Sequence, residues 1–88
     1  MTFSIRFDEY LFAGVVQRTI VIDGTTIGGT ATEQRAGGWA WFLRYPDGEF
    51  AGEGGEASWG GVLRGIRHAL AAEIAHGRLG HLRRGAPP

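Results

Sequence analysis

The sequence predicts an α+β fold: an antiparallel β-meander of five to six strands, with one C-terminal amphipathic helix packed on one face. Three observations carry that expectation. Through the first two thirds of the chain, apolar and polar residues alternate with the period of a half-buried strand. From Ala57 onward the apolar spacing changes to that of a helix. Glycine fills 16 of 88 positions, far above the usual ~7%, so many tight turns are expected. A chain this short supports a single core. The organisation expected is one α+β domain over residues 1–78 and a flexible basic tail over 79–88.

Residues 2–7 alternate so that Phe3, Ile5 and Phe7 share one face of a first strand. Beyond Asp8 and Glu9, residues 10–16 are rich in aromatic and β-branched side chains and read as a second strand, with Gly14 a bulge or close-approach point. Asp23-Gly24 between two β-branched runs suits a two-residue type I′ turn, which requires positive φ at both central positions. Residues 28–38 lose periodicity and carry a diglycine at each end, which predicts a loop. Trp39, Trp41, Leu43 and Tyr45 fall on one face of a central strand and supply much of the core. Pro46-Asp47-Gly48 then closes a hairpin, because proline is pre-set for the first central turn position and glycine accepts a positive φ.

Trp59, Leu63, Ile66, Leu70 and Ile74 recur at intervals of four, three, four and four, which predicts a helix over about residues 58–76. Ser58 suits its N-cap, Glu56 its positive end, and Gly77 its stop. Arg64, Arg67, Ala71 and Arg78 occupy the opposite face. Gly61 and Gly65 mark a smooth patch where the helix nears the sheet, since their low helix propensity must be offset by packing.

Charge is balanced overall but unevenly placed. Residues 1–60 hold four arginines against eight acids, and residues 61–88 hold five arginines against Glu73 alone. Zero net charge argues against a strong general nucleic-acid binder, which needs a basic excess to displace counterions, although a local basic patch remains open. All nine cations are arginine, the pattern of codon usage in a GC-rich genome. With no cysteine, disulfides, thiolate metal sites and cysteine nucleophiles are excluded. The longest apolar run, residues 39–43, is far short of a membrane span, and the start of the chain lacks the pattern of a secretory leader, so no membrane role and a cytoplasmic location are expected.

His68, His76 and His81 miss the spacing that would put two ligands on one helical face, and no metal or other cofactor is expected. The glycine pairs do not form a phosphate loop, because no lysine is present to complete one. Ile20-Val21-Ile22-Asp23-Gly24-Thr25, the glycine-flanked Trp39-Ala40-Trp41-Phe42-Leu43-Arg44-Tyr45 and the helical residues 62–70 together resemble the first half of the ribonuclease H fold. The resemblance implies strand, strand, hairpin and helix in that order, with Asp23 at the position of a metal-binding acid. The helix carries no glutamate where that family has one, and no further carboxylates follow in the pattern, so nuclease chemistry is not expected.

What remains is recognition by a surface. If one helix covers one face of the sheet, Ala40, Phe42 and Arg44, with Tyr10, Phe12 and Val16, lie on the other. The expected partner-binding residues are Phe42 and Arg44, the acidic set Asp47, Glu49, Glu53 and Glu56, and the basic helix set Arg64, Arg67 and Arg78. The function this favours is a small non-enzymatic protein that occludes a partner's surface. The partner would be a protein, such as a nucleic-acid-binding host complex, and the class a phage or mobile-element inhibitor of bacterial defence of the anti-CRISPR type. The alternative is a small DNA- or RNA-binding regulator using the helix arginines, and an open strand edge leaves a homodimer available.

Overall fold

The computed structural model describes residues 4–77. Five strands, β1 (Ile5–Phe12), β2 (Val15–Ile22), β3 (Gly28–Glu33), β4 (Trp39–Arg44) and β5 (Phe50–Glu56), precede one helix, α1 (Trp59–Ala75). The sheet order is β1-β2-β3-β4-β5, with every neighbouring pair antiparallel. This is the expected α+β meander with a C-terminal helix. No helix among the described residues is long and apolar enough to cross a membrane. The basic tail expected over 79–88 lies outside the described residues, as do Arg78 and His81.

The strand boundaries depart from expectation in three places. Residues 10–16 are not a separate strand. β1 runs on through Phe12, and Ala13 and Gly14 form a two-residue turn at φ 54° and 79° that pairs Phe12 with Val15. Both angles lie in the left-handed region that a type I′ hairpin needs, and Gly14 enters it without steric penalty. Asp23-Gly24 is not such a turn, because only Gly24 has a positive φ, at 86°. The Thr25 amide donates to Ile22 O at 3.2 Å, and the Thr25 hydroxyl accepts from the Ile27 amide at 3.1 Å, so the connection is longer and folds Ile27 into the core. The predicted loop over residues 28–38 instead begins with β3. Its first residues show no apolar alternation because Gly29 lies against the Phe42 carbonyl, where a Cβ would sit 1.9 Å from the oxygen, and only Ala31 fits the core beyond it.

Cross-strand partners share a face, so the register sorts the sheet into two sides. On the helix side lie Ile20, Ile22, Ala31, Trp39, Trp41 and Leu43, all buried, as the odd-numbered phase of β4 requires. α1 crosses β4 and β5, contributing Val62, Ile66 and Leu70 to the same core. Its buried stripe is turned slightly from the expected one: Val62 and Glu73 face inward, and Ile74 is exposed. On that turned stripe the buried Tyr45 hydroxyl donates to the Glu73 carboxylate, which gives the inward-facing acid a partner. Glycines allow the close approach. A Cβ on Gly52 would meet Ala69 Cβ at 2.6 Å, and one on Gly65 would meet Trp41 Cζ2 at 2.7 Å. Ser58 caps the helix by accepting from the Gly61 amide at 3.2 Å.

Candidate functional site

The face of the sheet opposite α1 begins with a local irregularity. Leu43 stands opposite Gly52, yet Arg44 stands opposite Phe50, so Ala51 is an extra residue in β5. Without this bulge Phe50 would point to the helix side and Ala51 to the open one. With it, Ala51 packs against the core and Phe50 turns to the open face, where it is 46% exposed. There it meets Phe42 edge to face, with ring centroids 6.2 Å apart and planes at 89°. The Arg44 guanidinium lies over both rings, 5.0 Å from the Phe42 centroid and 4.6 Å from that of Phe50. Glu53, opposite Phe42 in the register, adds an exposed carboxylate. The result is an apolar pair with a cation held on its rings, the residue types enriched at the centre of protein interfaces, with an acid alongside.

Other members of the open face follow from the register. Arg6, Asp8, Tyr10 and Phe12 of β1 lie on it, with Gln17 and Thr19 of β2 and Thr30 and Thr32 of β3 between them and Phe42. Tyr10 donates its hydroxyl to Gln17 Oε1 at 2.8 Å, and Phe12 is 54% exposed at the hairpin end. Val16, expected on this side, pairs with Leu11 and faces the other. The odd phase of β2 carries its open-face residues, and placing the turn at Ala13-Gly14 fixes that phase.

The remaining predicted residues separate. Phe42, Arg44 and Glu53 come together. Asp47 is occupied in the β4–β5 turn, where its Oδ1 accepts from the Glu49 amide at 2.9 Å. Glu49 lies in the same exposed turn, next to Phe50. Glu56 belongs to the helix side: its Oε2 accepts from Trp41 Nε1 at 3.2 Å, and its carboxylate lies against Gly61 and Gly65. Arg64 and Arg67 are exposed on the outer side of α1, away from the aromatic pair, so no single surface joins all the residues expected to bind a partner. Phe50 was missed because alternation counted back from Glu53 does not reveal an inserted residue. The shortened, glycine-rich stretch after Pro46-Asp47-Gly48 was the available signal.

Asp23, the position that matches a metal-binding acid of the ribonuclease H fold, is held by Arg6 instead. Nε reaches Oδ2 at 2.9 Å and Nη2 reaches Oδ1 at 3.0 Å. Those hydrogen bonds, followed by the charge of Arg6, hold the Asp23 carboxyl below the usual carboxylate range, and the same contact raises Arg6. No group of three potential metal ligands occurs among the described residues. No protein-family model matches the chain, and no curated protein or solved structure shows significant similarity to it.

Proposed function

We propose that the chain is a non-enzymatic binding protein that docks a protein partner through the open face of its sheet. The observation that carries this reading is the β5 bulge, which places Phe50 in solvent beside Phe42 and Arg44 when the unbulged register would have buried it. Leaving the Phe50 ring about half exposed forgoes roughly 1 kcal/mol of burial, which a partner surface recovers on binding. Bulges at sheet edges re-aim side chains in this way. Arg44 suits a partner that presents carboxylates or backbone carbonyls beside an apolar hollow, and Glu53 suits one that presents arginine. A cytoplasmic inhibitor that competes for an arginine-lined channel of a defence complex is one role of that chemistry, and it rests on the chain's size and on the exposed carboxylate of Glu53.

The test is capture of partners from a host lysate by the wild-type chain and by Phe42→Asp/Phe50→Asp. Thermal melting of the two chains is compared alongside. Loss of a saturable protein partner at unchanged melting temperature is the expected result, and undiminished capture overturns the reading. Salt-dependent binding of duplex or single-stranded DNA that disappears in Arg64→Glu/Arg67→Glu would transfer the function to the exposed arginines of α1.

A further inference from the structure

We infer that two copies of this chain join through the outer edges of their β1 strands, antiparallel about a two-fold axis at Phe7, with Arg6 of each copy opposite Asp8 of the other. The inference stands on the edge geometry and is independent of the docking face. β1 is an end strand of the sheet, and among the described residues no strand pairs with its outer side. Phe12 and Val15 flank the two-residue turn, and the Asp23 amide donates to Ser4 O at 2.9 Å, so the even-numbered residues of β1 direct their backbone groups toward β2. Ile5, Phe7, Glu9 and Leu11 therefore direct theirs outward, four residues' worth of donors and acceptors on an eight-residue strand.

β1 has no proline, no lysine and no bulge to blunt that edge, and its register with β2 is unbroken; the charges it does carry are of both signs. The other end strand, β5, is protected: it carries the bulge, three glycines, and Glu53 and Glu56 with no basic residue, so two copies of it would set like charges together. β1 instead has charges of both signs, and their order selects one pairing. With the axis at Phe7, Arg6 faces the partner's Asp8 twice. Moving the axis to Arg6 opposes two arginines, and moving it to Asp8 opposes two aspartates. The Asp23 contact engages Nε and Nη2 of Arg6, leaving Nη1 for the partner's carboxylate. Joined this way, two sheets become one ten-stranded layer with both open faces on the same side.

Sedimentation of the full chain across concentrations, with single-cysteine variants of a chain that has no cysteine of its own, tests this. The wild type dimerises with a Kd below about 1 mM, and Asp8→Arg weakens that dimer about tenfold or more, by turning two attractive pairs repulsive. Asp8 is exposed and lies opposite Thr19, and circular dichroism confirms that the variant is folded. Under mild oxidation an equimolar mixture of Arg6→Cys and Asp8→Cys cross-links, while each variant alone does not, because only the directly opposed pair meets disulfide geometry. A monomer throughout the concentration range overturns the inference. So does a dimer that Asp8→Arg leaves intact, or a mixture that cross-links no faster than Asp8→Cys alone.

Discussion

Tyr10-Leu11-Phe12 of β1 and Trp41-Phe42-Leu43 of β4 are nearly the same kind of segment, two aromatic residues and a leucine in an extended strand, yet they meet opposite environments. Leu43 is fully buried, whereas Leu11 is 76% exposed. Both leucines lie on the helix side of the sheet. The difference is what lies above them. α1 crosses β4 and β5, and its first residue, Trp59, marks the limit of its cover: the indole packs on Phe7 at 4.7 Å and on Trp39 at 4.9 Å, with the Arg18 guanidinium stacked 4.2 Å from its ring. Beyond the Glu9–Arg18 ion pair the hairpin extends past the end of its pairing with β3, which begins at Gln17 opposite Thr32. Burial is thus conferred by the neighbouring element, and the covered half holds the fold while the uncovered half is free to meet other molecules.

The sharpest way to break this comparison is to truncate the two leucines. Leu43→Ala should destabilise the fold by about 2–5 kcal/mol in urea unfolding, against less than about 0.5 kcal/mol for Leu11→Ala. Equal losses would mean that the hairpin end is covered in solution. Tyr45→Phe should cost about 1–3 kcal/mol, because it removes a donor from the buried Glu73 carboxylate, and Tyr10→Phe, at an exposed hydrogen bond, should cost far less. Gly52→Ala should also cost about 1–3 kcal/mol, since its new methyl meets Ala69 across the helix–sheet contact. Gly55→Ala is the matched control on the same strand, where a Cβ would come no nearer than 4.0 Å to a neighbouring atom, the Trp39 carbonyl oxygen.

Two smaller effects sharpen the uncovered side. Ala13→Asn should stabilise the chain by roughly 0.5–1 kcal/mol, because asparagine tolerates the left-handed φ of 54° better than alanine and completes an Asn-Gly turn, and calorimetry would register the higher melting temperature. Arg6→Met should have a small effect that depends on pH. The carboxyl of Asp23 is held below its usual range in the folded chain, so the pair contributes at neutral pH and is lost as pH falls through the folded value. The melting temperatures of wild type and Arg6→Met should therefore converge in acid, and a difference that persists there would remove Asp23 as the cause.

Much of the architecture was legible in the sequence because it rests on local periodicity. The β4 core residues, the Pro46-Asp47-Gly48 hairpin, the Ser58 cap and the glycine patch of α1 each follow from spacing and turn chemistry. β3 was hidden because Gly29 is a residue of the strand whose missing side chain is what allows the neighbouring backbone to fit. The site was only half visible. Phe42 and Arg44 follow from the phase of β4, but Phe50 joins them through one inserted residue, and Glu56 leaves the acidic set because the register puts it opposite Trp39 on the helix side, where it accepts from Trp41 Nε1.

By itself the sequence determined that antiparallel strands precede one C-terminal helix, the apolar phase of the central strand and the charge asymmetry, all of which are set by residues close together in the chain. Only the tertiary structure decided the strand boundaries and how far the cover of α1 reaches. It also decided where Phe50 points and which strand edge carries complementary charge. These depend on register and on contacts between distant segments, and a shift of one residue in a strand exchanges its two faces.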